Sequence, residues 1–291
     1  MHKRTHCVLS KLEDYSLFPA LGQGSWLGSP VLPGYNSSPM SEVQRMSPKA
    51  RGQLARLLDE RSARDAMAAY YALRHPADRL NLCAYYPTNR GVSGFLAIAR
   101  TGLDLFRPLA IPFVAQQAAL TALLRVGLEP GRPVVLHLPL EQRGWAEETV
   151  DLSDVRVSEL LRLDLRQFEP IINVLVVESR TPVGWPRYEI RSGEVLRVAA
   201  GLNWKGPAFA EVYLEVEPAM RGRGYAESVL AAIAGRLLAE SVVALYRVED
   251  EDPFARMEAE QLGFRSTGIR TLTAQAVLRE EPKAEEQGRQ H

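Results

Sequence analysis

The stretch FAEVYLEVEPAMRGRGYAESVLAAIAGRLLAES, from Phe209 to Ser241, sets three local patterns in direct succession. Val212, Leu214 and Val216 alternate with Glu211, Tyr213, Glu215 and Glu217, the period of two that puts one set on each face of a strand. Beyond the glycines, Val229, Ile233 and Leu237 form a stripe with Leu230 and Leu238 beside it, the period of an amphipathic helix. Between them stands Arg221-Gly222-Arg223-Gly224. A chain that must run strand, glycine turn, helix is directed toward architectures in which helices cover a sheet.

The turn itself has three readings: a tight connection, a basic nucleic-acid patch, or a cradle for a phosphate. Unpaired N–H groups at a helix start favour an anion. Glycines let that anion approach the backbone, and the arginines can add charge-assisted contacts. The GxxxxGK[ST] spacing of a Walker loop and the GxGxxG fingerprint are both absent. Lys plus Arg and Asp plus Glu are equal at 35 each, so no global field draws the chain to nucleic acid or to a membrane. Aromatic residues do not interleave the basic ones, which argues against an RNA or DNA contact.

The rest of the 291-residue chain, 46% hydrophobic, allows one or two domains. Residues 1–47 are dense in Gly, Pro and Ser without a period and read as a disordered tail. Met40 and Met46 are alternative starts within it. From Pro48 to His75 the three-to-four spacing of Leu54, Leu57, Leu58, Met67, Tyr70 and Tyr71 predicts a helix. LNLCAYYP and VSGFLAIAR then read as strands, PFVAQQAALTALLRVG as a helix, and RPVVLHLP as a strand. His137 in this last strand is expected to be a satisfied core or rim residue. The polar run EQRGWAEETVDLSD suggests a boundary, giving an N-terminal α/β lobe over 48–150. VRVSELLRLDLRQF is expected to be partly helical. INVLVVES, RYEIR and EVLRVAAGLNW are expected as strands, the last two joined by a turn at Ser192-Gly193. VVALYRV reads as a strand. DPFARMEAEQLGF reads as a helix capped by Asp252 and stopped at Gly263, and STGIRTLTAQAVL as a closing strand. A second domain over 151–277 and a solvated tail over 278–291 complete the division. Both halves run strand hairpin, helix, strand, which hints at a duplicated architecture.

Cys7 and Cys83 form no CxxC pair and suit reduced thiols in a cytoplasmic protein. His2, His6 and Cys7 can be drawn as a ligand set, but in an unpatterned segment, so no metal is expected. No signal peptide and no apolar run of spanning length is expected.

Arg221 to Ala226 resembles the R/Q-x-x-G-x-G/A signature of the GNAT superfamily of acyl-CoA N-acyltransferases. The resemblance runs in register from the preceding strand through the helix. Downstream, Asp252-Pro253-Phe254-Ala255 resembles that family's N-x-x-A helix start, and QLGF its common ending. It spans about Val155 to Val277. It implies a mixed, mostly antiparallel sheet flanked by helices, an α/β chain of the α+β type with two similar lobes, the first lacking a cofactor signature. It also implies acetyl-CoA or another acyl-CoA as co-substrate. The pyrophosphate would lie on Arg221, Gly222, Arg223, Gly224, Tyr225 and Ala226, with Asp252 among the coenzyme-binding residues. Leu214, Glu215 and Val216 would pair with the pantetheine arm between splayed strands. The acceptor would be a small-molecule or peptide amine, attacking the thioester directly, in a monomer or homodimer. Glu211 is the first candidate for the base, with Glu215 and Glu217 as rivals on its face. Many members carry a tyrosine acid where this chain has Ala259. Tyr225, Tyr246 or Tyr213 are its possible substitutes, and a non-catalytic acyl-CoA-binding module is the alternative.

Overall fold

Alternating apolar and polar residues make most of this chain into strands, and a computed structural model gives their pairing. It describes residues 42–88, 90–102 and 104–280. The first half supplies β1 (Glu42–Arg45), β2 (Leu80–Tyr86), β3 (Gly94–Ala99), β4 (Leu109–Phe113), β5 (Val134–Pro139) and β6 (Val150–Leu163). The second supplies β7 (Val177–Arg180), β8 (Pro186–Ser192), β9 (Val195–Lys205), β10 (Phe209–Val216), β11 (Val243–Glu249) and β12 (Phe264–Leu278). The α-helices are α1 (Ala66–Ala69), α2 (Gln117–Gly127), α3 (Arg143–Glu147), α4 (Tyr225–Ala239) and α5 (Pro253–Gln261).

All twelve strands form one sheet, in the order β1-β2-β3-β4-β5-β12-β6-β11-β10-β9-β8-β7. Adding six to each strand of the first half reproduces this order read backwards, so the two halves repeat one topology about the β12–β6 pair. Neighbours are antiparallel except β4–β5 and β10–β11, which are parallel and joined across α2 and α4. The last strand of each half has crossed over: β12 lies against β5, and β6 lies against β11.

Three apolar clusters hold the sheet. One packs α4 on Val198, Ala210, Val212, Ala244 and Tyr246. A second packs α2 on Leu96, Leu136 and Leu272. The third lies on the sheet face away from α4 and joins Tyr70 and Tyr71 of the first half to Trp204, Phe209 and Leu245 of the second. Tyr70 stacks on Trp204 with ring centroids 6.0 Å apart.

Several sequence expectations change. The helix expected over 48–75 is broken into a 3₁₀ stretch (Pro48–Leu57), α1 and a π turn (Tyr70–Arg74). Asp65 accepts from the Asp59 N–H and Asp59 from the Arg61 N–H, local bonds that compete with the helical ladder. The segment VRVSELLRLDLRQF is not helical; its first nine residues belong to β6. Leu160 and Leu161 are both buried because helices cover the two faces of a central strand, and that adjacency imitates a helical stripe. INVLVVES holds a strand only from Val177, with Ile172 and Val174 each 94% exposed. β4 begins before PFVAQQAALTALLRVG, which becomes helical only at Gln117. The expected tail ends sooner than residue 47, since β1 pairs Glu42–Arg45 with β2. Residues 1–41, with the His2, His6 and Cys7 set, lie outside the described residues. At the other end Arg279 pairs with Asp151, tying residue 279 to β6. Among the described residues no helix is long and apolar enough to cross a membrane, and no cluster of His, Cys, Asp and Glu could hold a metal ion.

Candidate functional site

β10 and β11 pair in parallel from Phe209 opposite Val243 to Val212 opposite Tyr246. β10 then continues to Val216 against β9, and β11 to Glu249 against β6. The strands therefore part, and Leu214, Glu215 and Val216 lie on the stretch facing the gap. Leu214 and Val216 pack toward α4, while Glu211, Tyr213 and Glu215 take the opposite face, as the alternation predicts.

The eight residues Glu217–Gly224 lead from β10 to α4. Gly222 and Gly224 have φ of 66° and 73°, a conformation that side-chain-bearing residues adopt at a cost. A Cβ at either would meet nothing within 4 Å, so the backbone there is open to an approaching group. Gly224 caps α4 without any side-chain bond, which leaves the first-turn N–H groups of Tyr225, Ala226 and Glu227 available. Arg221 and Arg223 are exposed and form no ion pair among the described residues. Open glycine backbone beside uncapped N–H groups is the geometry in which a helix start can receive an anion.

Two carboxylates border it. Glu258 of α5 is buried, with the Gly222 N–H within hydrogen-bonding reach. Burial and the neighbouring Glu227 push its pKa above the usual carboxylate range. Glu227 has a buried oxygen without a partner. Asp252 caps α5, accepting from the Ala255 N–H at 3.0 Å, so its side chain is committed to the helix start.

The three glutamates of β10 meet different surroundings. Glu211 is buried and its carboxylate accepts from Asn203 Nδ2 at 3.0 Å, Trp204 Nε1 at 3.0 Å and Arg247 Nη2 at 2.6 Å. Glu217 is held by Arg197. Glu215 faces Arg187 at 3.2 Å, and burial drives its pKa up while Arg187 opposes the shift. Tyr213 on the same face also has its pKa raised by burial. Tyr246 packs edge-on against Phe264, Tyr225 is the first residue of α4, and Ala259 is fully buried.

Arg247 was not anticipated from sequence, although a lone charge inside the apolar run VVALYRV is a signal for a buried partner. It lies one residue beyond the last β10–β11 pair. His137 lies one residue beyond the last β4–β5 pair, Ala110 opposite Leu136. These two equivalent positions meet at the centre of the sheet, with Arg247 Nη1 2.7 Å from the His137 ring. Burial and the Arg247 cation hold the His137 pKa well below its ordinary value, so the imidazole is neutral. His137 also lies 2.9 Å from Thr273 Oγ1. It is a satisfied buried residue, as the sequence led us to expect.

The same topology recurs in solved structures. A tandem GNAT protein from the clavulanic acid biosynthesis pathway superposes with a TM-score of 0.55 at 14% identity, covering 84% of this chain and 100% of that one. The chain has the GNAT fold. A GCN5-related N-acetyltransferase from Sphaerobacter thermophilus gives a TM-score of 0.53 at 12% identity, covering 83% and 97%. A Drosophila protein gives 0.59 at 12%, covering 81% and 98%. No family model and no curated protein sequence matches the chain. The tandem relative fits the repeated topology, with the glycine cradle confined to the second of the two GNAT-like halves.

Proposed function

We propose that the chain is an N-acyltransferase that moves an acetyl or other short acyl group from acyl-CoA to an amine, using the half over 151–277. The observation that carries this reading is a coincidence in space. The gap between β10 and β11 opens next to the uncapped start of α4 and the two open glycines. A thioester on a slender arm fits the gap, and the diphosphate at its other end fits the loop from Arg221 to Ala226. Backbone groups of Leu214–Val216, unpaired toward β11, would polarise the thioester carbonyl. The amine nitrogen then bonds to the carbonyl carbon, the C–S bond breaks, and the thiolate takes up a proton.

The amine must lose a proton first, and Glu215 suits that role better than Glu211. Glu215 stands beside the gap with a raised pKa, the direction a base needs for work near neutrality. Glu211 is saturated by three donors and acts as an anchor. An assay of thiol release from acetyl-CoA with a panel of amines tests the proposal. Release that depends on one amine class supports it, and no release from any amine rejects it.

A second reading has its own observation. Ala259 is sealed in the core, so the position where the resemblance implies a tyrosine offers no acid to the departing thiolate. A module that binds acyl-CoA without turnover would show saturable CoA binding and no thiol release.

A further inference from the structure

Glu215 stands in a groove on the sheet face away from α4, formed by β8, β9 and β10. Glu189 of β8 and Glu215 of β10 lie either side of Ala199 in β9. Tyr213 lies across Gly201, where a Cβ would come within 2.5 Å of its hydroxyl. The small residues of β9 make the floor, and side chains of β8 and β10 make the walls. Trp185, two residues before Arg187, meets Tyr70 of the first half with ring centroids 6.4 Å apart.

Arg187 spans the groove. Its Nη2 lies 3.2 Å from Glu215 and its Nε 3.1 Å from Glu189. Glu189 is held in turn by Arg191 at 2.6 Å and by Ser179 Oγ at 2.8 Å. With its side chain only 7% exposed, Glu189 anchors Arg187 rather than meeting a ligand. Arg187 and Glu215 keep 25% and 20% of their side chains exposed, so a molecule in the groove reaches both. The cations of Arg187 and Arg191 balance Glu189 and Glu215, which leaves no surplus negative charge to draw a polyamine. A bare ammonium that takes Glu215 strands Arg187, and stranding one member of a half-buried pair is costly. An ammonium with its own carboxylate beside it replaces both partners at once. Arg187 turned to that carboxylate no longer opposes the upward pKa shift that burial and Glu189 give Glu215, so the base strengthens only for such an acceptor.

We propose that the acceptor is an α-amino acid, with its amine at Glu215 and its carboxylate on Arg187, which makes Arg187 the residue that selects the acceptor. This rests on the acyltransferase reading and names the substrate class of the same site. The amine nitrogen bonds to the acyl carbon as the C–S bond breaks. Of the two protons the ammonium gives up, one ends on the coenzyme A thiolate and the other in solvent. The test is thiol release from acetyl-CoA by the full chain with the protein amino acids, each beside its amide and its decarboxylated amine, together with calorimetry of the same compounds. The best amino acid is expected to exceed its amide and its amine at least about tenfold in kcat/KM, mainly through KM. Arg187→Gln is expected to bring that ratio near one. Arg187→Lys keeps the charge, is the gentler substitution, and is expected to retain part of the preference. An amide or amine used as well as the acid, or a ratio unmoved by both substitutions, would overturn the proposal. Thiol release with bare amines alone keeps the acyltransferase reading and rejects the amino-acid acceptor. Binding of an amino acid in preference to its amide, without thiol release, keeps the specificity of the groove and rejects the acyltransferase reading. Neither binding nor release with any compound overturns both.

Discussion

The two halves share six strands and a crossover helix, yet differ at the turn after the fourth strand. In the second half eight residues with Gly222 and Gly224 lead into α4 and leave its first N–H groups uncapped. In the first, Val114–Gln116 closes the same connection without a glycine. Three residues past the last parallel pair stand Glu215 in one half and Phe113 in the other. Arg247 and His137 occupy matching places and contact each other. The scaffold thus fixes a gap between two strands twice, and short stretches of side chain and turn decide what each gap can hold.

The largest expected effect breaks the tie between the halves. Arg247→Met leaves Glu211 buried without its cation and is expected to cost about 3–5 kcal/mol in urea unfolding. Adding Glu211→Gln should recover much of that loss, and no recovery would show that the ion pair is not its source. Next comes the asymmetry of Glu215 and Phe113. Glu215→Gln is expected to lower kcat about 100-fold with little change in KM. A base works deprotonated, so wild-type activity should rise with pH through the raised Glu215 pKa, and that limb should vanish in the variant. Third, Gly222→Val adds a side chain over the cradle without meeting a neighbour, and coenzyme A affinity is expected to fall about tenfold, near 1.4 kcal/mol. Ala115→Gly in the counterpart turn should leave it unchanged. The smallest effect concerns Glu258. Glu258→Gln removes a charge beside the Gly222 N–H and is expected to tighten coenzyme A a few-fold, on the order of 1 kcal/mol, at neutral pH. Protonation neutralises Glu258 as pH falls through its raised pKa, so the advantage of the variant should shrink there. An advantage constant with pH would place its origin elsewhere.

Much of the second half was legible because its signals are local. Alternation from Phe209 to Val216, positive-φ glycines and the stripe on α4 each name their element without distant information. The faces of Glu211, Tyr213 and Glu215 followed from the same period. Their roles did not, because Glu211 is saturated by Asn203, Trp204 and Arg247, and Arg247 arrives from a strand 36 residues on. β6 was misread since a central strand buries both faces and loses its alternation. The repeat was visible as an order of elements. The crossing of β6 and β12 was not, because strand pairing is non-local and either partner satisfies the same edge.

That crossing also redefines the connector from Asp164 to Val176. If the two halves were separate chains, β6 and β12 would have to find each other by diffusion, and assembly would depend on concentration. Joined by thirteen residues, each half meets the other at the millimolar effective concentration typical of a short tether. The chain is a strand-exchanged pair whose dissociation has been made intramolecular. A backbone cut within the connector would restore the concentration dependence while leaving every strand in place.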